Sequence, residues 1–289
     1  MEYCIGYIKS KSDDQNFEVA KNILSALSEA RGCRIKLKEI AFSMSALALA
    51  AECKKTSAAI FADFAAVSRE YLRPLFVDCA KELGLSTSMR VSDGGQAVVC
   101  DAFGGLLGGS QGYFSDGKFG RGAYCEEKYC ELEIERTAHK AYEWAERGGS
   151  TLALIDMASR LETSRLWRKI VSDINEDYPS VRLRFEDIRD AIKTVSTDRT
   201  TSAFLASSLF AEIIAACRGD ALFESLSGDG AFALLLPLNE GSIPNMLIYA
   251  LKECLDLYEE AEILANATKR AGGRPDLLPS LIKELEAHK

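Results

Sequence analysis

The nine cysteines and two histidines of this 289-residue chain are the first groups to test for chemistry. Thiolates and imidazoles at close spacing hold zinc. Cys125 and Cys130 stand with four residues between them and Cys100 upstream, while the histidines are His139 and His288. A zinc site wants a second close pair or a nearby histidine, so this spacing argues against one. The cysteines are odd in number, scattered and mostly inside apolar segments. They read as buried free thiols rather than disulfides, which places the chain in the cytoplasm. Glycine is dense between Ser92 and Gly122, with pairs at Gly104-Gly105 and Gly108-Gly109. No GKS or GKT follows, so this is not a P-loop. Ser110 lies between Gly109 and Gly112 but not in a GxSxG elbow, and no histidine stands in triad order, which argues against a serine hydrolase. The turn from Lys9 to Val19 carries Asp13 and Asp14 and no glycine. A phosphate-bearing cofactor would meet repulsion there rather than a close backbone cradle.

These groups need elements to hold them. Tyr3 to Ile8 reads as a strand, Phe17 to Ala30 as a helix, and Ile35 to Ile40 as a second strand. Ser45 to Cys53 reads as a helix and Ala58 to Ala62 as a buried strand. This β-α-β-α-β order predicts a parallel sheet covered by helices. Ala97 to Val99 reads as a short strand before the glycine-rich loops or hairpins. Glu131 to Glu146 reads as a helix with Ile134, Ala138, Ala141, Tyr142 and Ala145 on its inner face. A strand over Thr151 to Ile155 precedes a helix over Glu162 to Asn175, whose stripe is Leu166, Trp167, Ile170, Val171 and Ile174. Strands follow at Val181 to Phe185 and Ala203 to Ala206, and helices at Ile188 to Val195, from Ser207 or Ser208 to Cys217, Asn245 to Leu257 and Tyr258 to Arg270.

The composition, 47% hydrophobic and 27% charged, is that of an ordinary globular protein, long enough to bury a sizeable core. A net charge of −8 without a basic cluster argues against nucleic acid as a partner. The longest apolar runs, such as Ala231 to Leu236, are too short to span a bilayer, and the first residues lack the pattern of a signal peptide.

Ile155-Asp156-Met157-Ala158, the run from Glu162 to Lys169, Tyr178-Pro179 and the helix opening Glu133-Ile134-Glu135-Arg136-Thr137-Ala138 together resemble the core of the isocitrate/isopropylmalate dehydrogenase family. The resemblance covers most of the chain and is strongest from Tyr129 to Phe210. It implies that Tyr129 holds the place of the catalytic tyrosine, a general acid. It also implies that Arg73, in Leu72-Arg73-Pro74, holds the place of a substrate-carboxylate arginine. Judged by residue type alone, a tyrosine ahead of a helix is a packing residue and an arginine ahead of a proline a solvated one.

Other family positions are altered. In Val99-Cys100-Asp101-Ala102-Phe103-Gly104-Gly105, Cys100 stands where the resemblance puts a substrate-binding arginine. Met157 stands in place of the catalytic lysine. Arg189 falls in the place of a metal-binding aspartate, with Asp187 and Asp190 close enough for a register slip. The run from Ser207 to Ala216 is similar to DNxFGDILSD, with Glu212 and Ala216 in place of its two metal-binding aspartates. Glu212 is thus the only retained carboxylate at a family metal position. The adenosine-binding HGSAPD segment has no counterpart after Phe223.

The family reaction oxidises a hydroxyl by hydride transfer to NAD(P) and decarboxylates the keto acid with Mg²⁺ or Mn²⁺. A hard cation wants several carboxylate oxygens. A thioether cannot take up the hydroxyl proton, a transfer worth about 10²–10⁴-fold in rate. The expectation is therefore an α/β fold of the isocitrate/isopropylmalate dehydrogenase type, with mixed, mainly parallel sheets flanked by helices in two subdomains. Residues 1–70 and 224–289 would form a discontinuous large domain, formerly the dinucleotide-binding one. Residues 71–223 would form a small domain that builds the dimer. The functional expectation is a regulatory, binding or structural subunit, a homodimer or a partner of an active paralogue, with no cofactor and no metal of its own. The alternative is an active NAD(P)-dependent 2-hydroxy-acid dehydrogenase, or altered chemistry in the same cleft.

Overall fold

The computed structural model describes residues 2–9, 15–61, 69–239, 241–272 and 277–288. The turn carrying Asp13 and Asp14, and Ala62 at the end of the third expected strand, lie outside the described residues.

The first segment forms β1 (Glu2–Lys9), α1 (Gln15–Arg31), β2 (Arg34–Ala41), α2 (Ala46–Cys53), β3 (Ala58–Phe61) and α3 (Arg69–Leu83). The middle segment forms β4 (Thr87–Ser92), β5 (Ala97–Asp101), α4 (Gly105–Gly108), β6 (Gln111–Asp116), β7 (Gly120–Cys125) and α5 (Glu131–Gly148). It continues with β8 (Thr151–Asp156), α6 (Glu162–Ile174), β9 (Arg182–Asp187), α7 (Ile188–Thr194), β10 (Ala203–Ala206) and α8 (Ser208–Arg218). The last segment forms β11 (Ala221–Ser227), β12 (Ala233–Pro237), α9 (Ile243–Tyr249), α10 (Tyr258–Ala271) and α11 (Leu278–Ala287). Two compact units result: residues 1–85 with 222–289, and residues 86–221.

In the unit built from both chain ends, β1 pairs in parallel with β2 and β3, β3 with β12, and β12 runs antiparallel to β11. The parallel start expected from the alternating strands and helices is present. Ile23, Leu24 and Leu27 of α1 are buried as their spacing requires, joined by Ala20. The helix expected over Asn245 to Leu257 is α9 followed by a π-helical turn at Ala250–Cys254. Leu257 N–H reaches back to the carbonyl of Leu251, a wider closure than an α-helix allows, and Asp256 turns the chain with a φ of 55°.

In the middle unit the strand order is β4-β5-β10-β8-β9, antiparallel only between β4 and β5. Alternate residues along a strand face opposite sides. Val98 and Cys100, Ala153 and Ile155, and Phe204 and Ala206 pack with α7 and α8. The helix α5 packs on β4, β5, β8 and β10, and its five expected inner residues are all buried. In α6 Leu166 is only half-buried, and Ser164 takes an inner place instead because its Oγ accepts the Met157 N–H at 3.2 Å. The glycine-rich stretch contains one hairpin, β6 with β7, a two-stranded sheet closed by Asp116 accepting the N–H groups of Lys118 and Phe119.

Candidate functional site

The strands β5, β10, β8 and β9 are parallel, so their carboxyl ends lie along one edge of the middle unit. Ligand sites of open α/β sheets form outside such an edge. Cys100 is the next-to-last residue of β5, Met157 follows β8, Ser207 and Ser208 follow β10, and Asp187 closes β9. The topology thus gathers at one edge the positions that were picked out far apart in sequence.

Cys100 and Met157 bring no charged group to that edge. Cys100 is buried with Val98, Ile155, Ile188, Phe210 and Ile214, and the half-buried Met157 and Leu161 pack on the same cluster. The two positions expected to be basic therefore share one apolar cluster. Tyr129 is buried, and its ring meets Trp167 edge-on with centroids 5.3 Å apart. Its hydroxyl accepts the Ser208 N–H at 2.8 Å and lies 3.3 Å from Ser208 Oγ, which donates to the Gly104 carbonyl at 3.1 Å. Burial pushes the Tyr129 hydroxyl up to about 12. Gly104 and Gly105 let the ring in: a Cβ on Gly104 would fall 2.7 Å from its edge, and Gly105 has a φ of +66°. In this unit Tyr129 anchors the start of α8 to the loop after β5.

The carboxylates at this edge are already held by cations. Asp187 caps α7 by accepting the Arg189 N–H at 3.0 Å, and both its oxygens take the Arg189 guanidinium at 2.7 Å. That pairing holds the Asp187 carboxyl down to about 2. Asp190 pairs with Lys193 at 2.7 Å, and Glu212 pairs with Arg90 of β4. Asp156 is buried and takes Arg168 through both oxygens, one at 2.9 Å. Ala216 brings no donor. A divalent cation would have to displace Arg90 from Glu212 and Arg189 from Asp187, so these residues do not fit the metal that the resemblance implies. Among the described residues no group of three histidine, cysteine, aspartate or glutamate side chains is placed to hold a metal ion.

Arg73 belongs to the other unit. It lies on α3, just ahead of Pro74 inside the helix, and its Nη1 donates to Glu224 Oε2 on β11 at 2.7 Å. Neither Arg90 nor Glu224 was picked out from the sequence. Each sits on a strand whose serines and charges hide its period, so no local pattern marked either one.

No family model matches the chain. It is 34% identical over 147 residues to the 3-isopropylmalate dehydrogenase of Salinibacter ruber, taking in 49% of this chain and 40% of that protein. It is 28% identical over 192 residues to that of Carboxydothermus hydrogenoformans, 60% of this chain and 51% of the relative. The solved β-decarboxylating dehydrogenase of Thermococcus kodakarensis, in its apo form, superposes with a TM-score of 0.68 at 20% identity, covering 99% of this chain and 96% of that one. The isocitrate dehydrogenase of Methylococcus capsulatus gives 0.64 at 14% identity, covering 98% and 99%. The chain is similar in sequence to 3-isopropylmalate dehydrogenases and shares the fold of the isocitrate/isopropylmalate dehydrogenase family. The matched stretch spans about half or less of each of these two curated relatives. The α/β architecture expected from the sequence, mainly parallel with flanking helices, is the fold of this family. Among the described residues no helix is long and apolar enough to cross a membrane.

Proposed function

We propose that this chain is a member of the isocitrate/isopropylmalate dehydrogenase family that does not carry out NAD(P)- and metal-dependent oxidation of a 2-hydroxy acid and serves as a regulatory, binding or structural subunit. The observation that carries this reading is the apolar cluster holding both Cys100 and Met157. A lysine and an arginine at those places would supply proton transfer and a carboxylate clamp; a thioether and a buried thiol supply neither. The pairing of Glu212 with Arg90 and of Asp187 with Arg189 points the same way. Nine cysteines, none of them in a disulfide, suit a cytoplasmic subunit. Purified protein assayed with isopropylmalate, isocitrate, malate and tartrate, with NAD or NADP and Mg²⁺ or Mn²⁺, is expected to give no turnover above the protein-free control. Turnover of about 1 s⁻¹ or faster would overturn the proposal.

The partner we assign is a second copy, or an active paralogue, meeting this chain through the β6–β7 hairpin. Tyr113 of β6 is 88% exposed and Phe119 in the turn 80%, with Phe114 of β6 and Tyr124 of β7 also exposed. An isolated two-stranded hairpin is marginal in water, and exposed aromatics on both of its faces and at its turn are what an interface covers. Light scattering after gel filtration is expected to give about twice the 31.6 kDa chain mass, falling to one chain mass in Tyr113→Ser/Phe119→Ser. An unchanged mass in the double variant would remove the hairpin from the interface.

A further inference from the structure

Cys53 ends α2 and Cys79 lies in the second half of α3, and both are fully buried. The two helices pack on one another within the same unit, and there the two thiols meet in a hydrogen bond. That bond has a direction. The Cys53 thiol donates it, which holds the Cys79 thiol below its ordinary value against a burial that would raise it, and pushes the Cys53 thiol up. A buried thiol among apolar groups is inert, whereas a thiolate stabilised by a second cysteine is the nucleophile of a redox pair.

We propose that Cys53 and Cys79 are a redox switch, which a peroxide closes into a disulfide tying α2 to α3. The Cys79 thiolate attacks the peroxide, the O–O bond breaks, and the departing oxygen takes up a proton and leaves as water, with Cys79 now a sulfenic acid. The Cys53 sulfur, its proton released, attacks the Cys79 sulfur and expels the hydroxyl as a second water. The two thiols together lose two protons and two electrons, and one hydrogen peroxide is reduced to two waters. Two molecules of a small thiol reverse the step by exchange, as a switch in a reducing compartment requires. Burial makes the reaction wait for a local opening, and α2, an eight-residue helix, is short enough to open. The closed bond would enclose β3, which pairs with β1 and β12, so oxidation ties down the sheet of this unit. The switch is independent of whether the chain turns over a 2-hydroxy acid.

The test starts from Cys125→Ser/Cys130→Ser/Cys217→Ser, which removes the exposed thiols. Folded protein of this background is treated with hydrogen peroxide, quenched, and alkylated as it is denatured. Peptide mass mapping is expected to find Cys53 and Cys79 linked, about 2 Da lighter than the two reduced peptides together, and separated by dithiothreitol. The melting temperature is expected to rise by roughly 5 °C or more on oxidation and to fall back on reduction. Cys53→Ala and Cys79→Ala in the same background are expected to show no rise. Should neither folds, the linked peptide and the reversible rise in the background protein decide. Cys53 and Cys79 each recovered alkylated after peroxide, either one linked to a different cysteine, or a linked peptide without a rise in melting temperature would overturn the proposal.

Discussion

Cys100→Arg is expected to unfold the middle unit, with a loss of about 4 kcal/mol or more. Two costs add. An arginine is far larger than a cysteine, and forcing extra methylenes into a packed cluster costs typically about 1–3 kcal/mol. Its guanidinium would then lie among Val98, Ile155, Ile188 and Phe210, where burying an unpaired charge costs several kcal/mol more. Cys100→Val, nearly isosteric, is expected to cost less than about 1.5 kcal/mol. Both tryptophans, Trp144 and Trp167, lie in this unit, so denaturant unfolding followed by their fluorescence reads it directly. The result also bears on function. If the edge beyond β5 kept a polar recess for a substrate carboxylate, an arginine at position 100 would reach into it and be tolerated. A loss of under about 1 kcal/mol would therefore restore the substrate-site reading of this edge.

The same cluster explains why part of the molecule was legible and part was not. Strands and helices with one apolar period could be read directly: β8 and β10 as short apolar runs, α5 by its stripe from Ile134 to Ala145. β4 and β11 gave no such signal, because Thr87, Ser88, Glu224, Ser225 and Ser227 are polar and yet buried. Ser225 has a partner in Tyr249 Oη, which lies 2.8 Å from its Oγ, whereas Thr87 Oγ1 and Ser227 Oγ are buried without a hydrogen-bond partner among the described residues. α3 was hidden by Pro74, which cannot donate an N–H to the helix and reads as a breaker. The site divides in the same way. Which residue types were replaced at positions 100 and 157 could be read from the chain. That the replacements share one apolar cluster, and that Arg90 lies across from Glu212, 122 residues away, required the fold.

Arg73→Ala is expected to cost about 3–5 kcal/mol, because it takes a cationic partner from the buried Glu224 carboxylate. The reverse substitution should be mild. Glu224→Gln leaves a guanidinium that water can reach, and the net value of a half-exposed pair is about 1 kcal/mol or less. The double variant Arg73→Ala/Glu224→Gln should recover most of the loss, because the amide carries no charge to bury. Thermal unfolding by far-ultraviolet circular dichroism, with amide exchange on β11 and β12 to localise the change, would measure all three. This asymmetry separates two roles for Arg73. An arginine held for a substrate contributes little to the unliganded fold, and its removal is often neutral or stabilising. An arginine that neutralises a buried carboxylate shows its full cost with no ligand present. A loss below about 1 kcal/mol for Arg73→Ala would place the arginine in the first class and return it to the substrate.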